Sequence, residues 1–329
     1  MRLLLWHVHG SWTTAFVQGR HEYLLPVTPD RGPDGLGRAR TWDWPASVVE
    51  APPERLAEEH VDLVVLQRPH EADLCARWLR RTPGRDVPAV YLEHNTPLGD
   101  VPDSRHPMAE QDRVPVVHVT GFNELFWDSG RAPTHVIEHG IPDPGHRYTG
   151  ELDRAAVVVN EPVRRGRSVG TDLVQGLARR HGVDVFGMGV DPLATADASI
   201  RTYDDLPQHR LHTELPRRRV YVHTSRWTSL GLSLLEAMYL GMPVVAVAAT
   251  EAFRAVPPEA GLLVTRPDEL ARAVGDLLAD PERARAAGRA AREHVRSRYG
   301  LDRFLADWDG LLASLVPAST ATVGTAASA

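Results

Sequence analysis

The run LSLLEAMYL (232–240) holds one carboxylate, Glu236, among Leu232, Leu234, Leu235, Met238 and Leu240. An ionised carboxylate buried without partners is costly enough that it takes up a proton or finds donors. The vicinal diol of a ribose supplies two O–H donors at the spacing of two carboxylate oxygens; an arginine or a backbone N–H would also satisfy the acid. The flanking segment favours the ligand. Ser225-Arg226-Trp227-Thr228-Ser229-Leu230-Gly231 leads from a strand into a helix that starts at about Leu232. A helix N-terminus leaves its first N–H groups unpaired and carries about half a unit of positive charge, which favours phosphate. Gly231 removes a Cβ that would keep a ligand from the backbone. The spacing suits a diphosphate on the loop and its ribose on Glu236.

Other residues offer matching chemistry. NEPVRRGRSVGTDLVQGL (160–177) brings Arg164, Arg165 and Arg167 to one loop after a strand, and guanidinium forks suit phosphate. The alternative is a solvated basic loop. WHVHGSW (6–12) ends the first strand. His7 and His9 point the same way there, but no third metal ligand lies nearby in sequence, so no metal is expected. His9 reads as a substrate contact, Gly10 and Ser11 as a backbone approach to acceptor or phosphate, and Trp12 as an acceptor platform or a core residue. His94, in YLEHNTP, ends a strand and is a further site candidate, with Glu93 competing for the inward position. His139, in EHG, is assigned to a turn, and Arg217–Arg219 to the surface before an edge strand. Asp307-Trp308-Asp309 mimics a D-x-D metal motif but falls in a terminal amphipathic helix. There is no G-K-[ST] phosphate loop, no C-x-x-C pair and no G-x-S-x-G elbow.

The elements that must position these residues alternate. Apolar runs at 3–8, 61–67, 87–94, 114–120 and 134–140 predict strands, and all but the first lack the polar alternation of a half-exposed sheet. Helices are expected at Ser11–Gln18, Pro53–His60, His70–Arg81 and Phe122–Ser129. After a proline- and glycine-rich linker, IPDPGHRYTGELDR (141–154), strands recur at 155–160, 183–189, 219–225, 243–248 and 261–264. Helices are expected at 170–181, 206–216, 232–240, 267–279, 281–299 and 301–315. The pattern predicts an α/β chain of two Rossmann-like domains, 1–145 and 146–300, with parallel sheets facing across a cleft. The helix at about 301–315 is expected to pack back on the first domain, and 316–329 to be disordered.

With these residues in place, LEAMYLGMPVVA followed by GLLV resembles the family-four retaining glycosyltransferases of the GT-B fold, whose pattern reads roughly E-G-x-G-L-x-x-L-E-A-M-A-x-G-x-P-V-V-A. The specific match covers 231–246. Weaker echoes are QGRHEY (18–23), EHG (138–140) and the closing helices from Pro267. The resemblance implies that Glu236 binds the nucleotide ribose, that Leu230, Gly231 and Leu232 hold the diphosphate, and that His94 reaches across the cleft to the donor sugar. Thr228 stands where the family has its first Glu, which contacts hydroxyls of the transferred sugar; a hydroxyl there has no charge and less reach. Ser229 and Tyr203 complete the donor set with Arg167. The family's R-L-x-x-x-K-G maps in two registers. With Gly170 as its glycine, Arg164 takes the Arg position and Val169 the Lys position; with Gly166, Asn160 and Arg165 do.

Composition agrees with a globular enzyme: 43% hydrophobic and 24% charged over 329 residues. The net charge of -6 argues against a nucleic-acid binder that relies on bulk charge. The one cysteine, Cys75, excludes an intrachain disulfide and reads as a buried thiol. No segment predicts an export signal or a membrane span, so a cytoplasmic chain is expected. The expectation is thus a metal-independent, retaining glycosyltransferase with no cofactor. A nucleotide-diphospho-sugar is the co-substrate, and the acceptor is a small molecule, a glycan or a lipid-linked sugar. The rivals are a GT-B epimerase or phosphorylase and a noncatalytic nucleotide-sugar-binding subunit; a solute-binding protein should carry an export signal.

Overall fold

The computed structural model describes residues 1–101 and 103–316; the tail expected to be disordered lies, apart from Val316, outside them. Seven strands form the first sheet: β1 (Arg2–Leu5), β2 (Glu22–Pro26), β3 (Val48–Ala51), β4 (Leu63–Leu66), β5 (Ala89–Glu93), β6 (Val116–His118) and β7 (Thr134–Val136). Six form the second: β8 (Leu152–Val158), β9 (Val183–Gly187), β10 (Ile200–Asp204), β11 (Arg218–His223), β12 (Val244–Val247) and β13 (Gly261–Val264). The orders are β3-β2-β1-β4-β5-β6-β7 and β10-β9-β8-β11-β12-β13. Every pairing is parallel. Both sheets are therefore doubly wound in the same sense, with switch points between β1 and β4 and between β8 and β11, the places where open α/β sheets bind ligands at their carboxyl ends.

Burial explains why these strands read as unbroken apolar runs. Leu3, Leu5, Leu63 and Val65 join the core on one face of the first sheet; Leu4, Trp6, Val64 and Leu66 join the core on the other. In the second sheet Val157, Val220, Val222 and Val245 take one face, and Ala156, Tyr221, Val244 and Ala246 the opposite one. A strand with both faces dry takes a polar side chain only where a buried partner meets it. Three strands were not foreseen: β2, β3 and β10. The expected helix at Pro53–His60 is instead a 3₁₀ helix, Pro53–Glu58.

Arg218 overturns the surface assignment of the Arg217–Arg219 cluster. β11 is central, between β8 and β12, and Arg218 is buried in it. Its guanidinium meets the buried Asp184 carboxylate at 2.7 Å and lies over the rings of Phe186 and Tyr203 at 4.9 and 4.7 Å. A charge this deep is tolerated because it is paired and stacked.

The helix Leu301–Leu315 follows the second sheet but packs on the first. Phe304, Trp308, Leu311 and Leu312 share a core with Leu3, Trp12 and Phe16. Its approach is set at Gly140, where an added Cβ would stand 2.3 Å from the Cβ of Phe304. Arg303 Nη2 donates to the carbonyls of Glu138 and His139 at 3.0 and 2.7 Å, and Arg298 pairs with the Glu138 carboxylate. Ile141, at the start of the linker, bridges Gly300. Two chain crossings between the halves are thus tied to each other. Asp307 and Asp309 of the D-x-D look-alike pair with Arg303 and with His21 and Arg20, and Trp308 between them is core.

Truncating Phe304 or Trp308 to Ala should cost about 3–5 kcal/mol, the usual range for a buried aromatic, read from urea unfolding. Gly140→Ala should also lower stability, although no hydrophobic group is lost. Wild-type stability in Gly140→Ala would show that this contact does not set the helix position.

Candidate active site

The loops after β8 and β11, at the second switch point, are knitted together. The N–H groups of Arg226 and Trp227 both donate to the Ser168 carbonyl, at 2.9 and 3.2 Å, and Thr224 Oγ1 donates to the Val169 carbonyl at 2.7 Å. Gly170 makes this closeness possible. Its φ is +78°, and an added Cβ would lie 2.2 Å from the Thr224 carbonyl oxygen. Gly166 also has positive φ but faces open space. The glycine that packs between the two loops is therefore Gly170; in the register that uses it, Arg164 stands at the Arg position of the resemblance and Val169 at the Lys position. Val169 is a core residue. All 37 basic residues of the chain are arginine, so no lysine exists to fill that role.

The three arginines of this loop differ. Arg164 pairs with Glu161, and Arg167 pairs with Asp172 at 3.0 Å, both on the outside. Arg165 has no acidic partner among the described residues. Arg226, to which the sequence reading gave no role, holds Asp172 with both Nη atoms at 2.6 and 2.8 Å and donates to the Arg167 carbonyl. A bidentate fork onto a first-turn aspartate makes it a brace for the loop. Asn160 Oδ1 accepts from Met188 N, a structural bond.

Glu236 lies in the helix Leu232–Leu240, flanked by the buried Leu235 and Ala237 and itself 8% exposed. Among the described residues no arginine reaches it. Its hydrogen-bond partner is Gln208 Nε2, at 3.3 Å. Burial pushes its carboxyl up to about 7, with the Gln208 bond opposing weakly. Neighbouring Ser233 shares a hydrogen bond with Tyr221 Oη at 3.0 Å. Among the described residues, no acceptor meets the N–H groups of Leu230, Gly231, Leu232 or Ser233, as expected at a helix start. Gly231 serves a different purpose from the one expected. Its missing Cβ would point into the buried ring of His223, 2.5 Å from Cε1, so the glycine lets the loop settle on β11 rather than opening the backbone to a ligand. Gly10 is similar, with Trp42 ring atoms 2.4 Å from its would-be Cβ.

The first sheet meets this loop directly. Ser229 Oγ donates to the His94 carbonyl at 2.7 Å, Trp227 Nε1 to the Pro97 carbonyl at 2.8 Å, and Phe122 N to Glu251 Oε2 at 3.0 Å. The Ser229 hydroxyl is thereby engaged in joining the halves. Trp227 packs edge-on against Phe122 and Phe126. Thr228 is half-buried and its hydroxyl has no partner among the described residues. Leu232 touches the cores of both halves.

At the carboxyl ends of β1 and β5, the rings of His9 and His94 lie 3.8 Å apart between centroids. His9 is lowered to about 4 by burial and by the Arg68 charge, and His139 to about 4 by burial and by His9. His94 is also lowered, by burial and then by both other histidines. The three imidazoles are neutral at physiological pH. His139 is buried beside this pair. His7 is spent on the Gly37 carbonyl at 3.0 Å. Among the described residues no three His, Cys, Asp or Glu side chains are arranged to hold a metal.

Of the readings left open, Trp12 takes the core one and Glu93 the inward one, whereas Tyr203 is placed away from its expected role. Trp12 is buried, stacked on Phe16 at 4.6 Å and edge-on to Trp308, so it cannot serve as an acceptor platform. Tyr203 stacks on Phe186 at 4.5 Å under Arg218, a bracket in the sheet rather than a donor contact. Glu93 turns inward, where its carboxylate accepts from Asn95 N and meets His106 Nε2 at 3.2 Å. Ser11 makes no side-chain hydrogen bond among the described residues. Cys75 is buried, and burial pushes its thiol up to about 12. Gln208, Gln67, Glu251, Arg226 and His223 were missed, since nothing in their local sequence marks them.

Comparison with known proteins places this geometry. Residues 196–294 match the model of the family described as glycosyl transferases group 1. A trehalose synthase of Rubrobacter xylanophilus is 35% identical over 97 residues, 30% of this chain and 23% of that protein. The matched stretch is thus under a quarter of the length of that curated relative. Among solved structures, sucrose-phosphate synthase from Thermosynechococcus elongatus superposes with a TM-score of 0.71 at 15% identity, over 96% of this chain and 99% of that one. Anabaena HepE in complex with UDP and glucose superposes with a TM-score of 0.69 at 14% identity, over 96% and 100%. A glycosyltransferase from Rickettsia africae gives 0.66 at 11% identity, over 97% and 99%. The two doubly wound parallel sheets are the GT-B fold, and the segment that carries Glu236 and its loop matches glycosyl transferases group 1.

Proposed function

We propose that this chain is a metal-independent, retaining glycosyltransferase, which moves a sugar from a nucleotide-diphospho-sugar to an acceptor hydroxyl. The observation that carries the reading is Glu236: among the described residues, a buried carboxylate without a cation, one turn inside a helix whose first N–H groups meet no acceptor. A ribose diol bonded to that carboxylate leaves the diphosphate over the N–H groups of Leu230, Gly231 and Leu232. The family match over 196–294 and the presence of UDP in the HepE complex support a nucleoside diphosphate as the ligand.

Charge separation is then the protein's main task. Arg165 is the cation of its loop left free for the departing diphosphate, with Arg164 and Arg167 held outward by acids. Together with the helix N-terminus it supplies preorganised stabilisation of the leaving group. The acceptor hydroxyl attacks on the face the diphosphate leaves, and a diphosphate oxygen takes its proton, so no protein nucleophile is needed. His94 and His9, both neutral, bound the sugar side of the cleft. Thr228 offers a hydroxyl where the family has a carboxylate, which narrows what it holds to a single hydrogen bond with a sugar hydroxyl.

Isothermal titration against UDP-, GDP-, ADP- and dTDP-glucose tests the ribose assignment. Glu236→Ala should weaken the best of these about tenfold to a hundredfold, or about 1.4–2.8 kcal/mol. Unchanged affinity would remove the assignment. The pH dependence has a definite sign. A carboxyl raised to about 7 is mostly protonated at pH 6 and mostly charged at pH 8, and the diol prefers the charged form. Wild-type affinity should therefore rise about tenfold from pH 6 to pH 8, and Glu236→Gln should flatten the profile. The same linkage makes the unliganded fold less stable as pH rises from the ordinary carboxyl range through about 7.

Arg165→Ala should lower turnover by about a hundredfold, and Arg164→Ala by much less, in a donor-consumption assay. Equal losses would mean that Arg164 leaves Glu161 to reach the phosphates. Tight donor binding without transfer or hydrolysis, with any acceptor tried, would favour a noncatalytic binding subunit.

A further inference from the structure

Gln67 follows β4 at the first switch point and is 4% exposed. Three bonds fix it. Its backbone N–H donates to Glu71 Oε2 at 2.6 Å, its side-chain Nε2 donates to the Trp6 carbonyl at 2.7 Å, and its Oε1 faces His94 Nε2 at 3.1 Å. Glu71 is itself buried and held by Arg68 Nε at 2.7 Å. The chemistry of these partners settles where the proton on His94 lies. The Trp6 carbonyl can only accept, so the amide NH₂ must face it and the amide oxygen must face His94. An oxygen can only accept from the ring, so Nε2 carries the hydrogen. A neutral imidazole with Nε2–H has a bare lone pair on Nδ1. Among the described residues nothing donates to that atom, and the His94 carbonyl is already taken by Ser229 from the opposite half.

We infer that Gln67 is a positioning residue: by holding His94 as the Nε2–H tautomer, it leaves Nδ1 as a fixed acceptor for a hydroxyl or N–H of the transferred sugar. The inference rests on the proposed transferase reading and narrows it. An acceptor atom in that place selects a sugar with a hydrogen-bond donor there and disfavours one with a carboxylate, because two lone pairs would face each other. The tilted ring of His9, 3.8 Å from His94 between centroids, works in the same direction, since a proton on one ring disfavours a proton on the other.

The test uses the full chain with ¹⁵N-histidine labelling and two variants. Gln67→Met keeps the volume and removes both side-chain bonds; Gln67→Glu keeps an acceptor toward Nε2 but draws a second proton onto the ring. In ligand-free wild type, the ¹⁵N spectrum should show His94 with a protonated Nε2 and a bare Nδ1. Gln67→Met should show a tautomer mixture and Gln67→Glu an imidazolium. In both variants the best-bound nucleoside-diphospho-glucose should weaken about fivefold to tenfold, while its parent nucleoside diphosphate keeps wild-type affinity. A wild-type tautomer that survives in Gln67→Met, or parallel loss of both ligands, overturns the inference. The tautomer is read without any ligand, so its failure is distinct from failure of the transferase reading. Wild type that binds none of the four nucleoside-diphospho-glucoses, with the expected tautomer present, overturns the transferase reading and the sugar contact that rests on it.

Discussion

Burial of Phe304 and Trp308 beneath the first sheet is the interaction on which the cleft depends. The helix that carries them comes from the far end of the chain, after the second sheet is complete, yet its apolar face belongs to the first core. Without it the halves would be joined by the proline- and glycine-rich linker and by the contacts that Trp227, Ser229 and Glu251 make with the first half. With it, the EHG turn and Gly300 are clamped by Arg298 and Arg303, and Trp12 is pinned below the helix that begins at Gly10. The histidines after β1 and β5 and the loop before Leu232 are brought together while packing on the opposite side of the first sheet holds the halves in place.

The electrostatics of the two walls are unlike. On the wall of the first sheet the imidazoles are stripped of charge by burial and by one another, leaving lone pairs and N–H groups as the recognition elements. The second half brings to one switch point a raised carboxyl and, among the described residues, a guanidinium without an acidic partner and backbone N–H groups without acceptors. Such a division fits a ligand with a neutral polyhydroxylated end and a multiply anionic end.

Legibility in the sequence followed locality. Glu236 was readable because its whole environment is a contiguous helix with a glycine loop before and a strand after it. Parallel strands were readable because two dry faces leave no alternation to misjudge. β2 and β3 escaped since each is short, bordered by charge or proline, and completed only by pairing with β1 and with each other. Arg218 was misjudged because three adjacent arginines look solvated, and the acid that buries the middle one, Asp184, sits on β9. Gln67 and Gln208 carried no signal at all, since an amide becomes informative only when its partners across the fold are known. The glycines teach the same lesson in reverse: Gly231 and Gly10 stand out in the sequence as backbone approaches, yet their missing side chains face His223 and Trp42.

The absence of lysine has a consequence beyond the register of one loop. Every guanidinium keeps its proton across any range in which such a chain stays folded. Titration of the cleft is therefore left to a single carboxyl and a few imidazoles, against a background of fixed positive charge. Reagents that acylate side-chain amines would find no target anywhere along the polypeptide, so activity lost to them would have to be traced to another functional group.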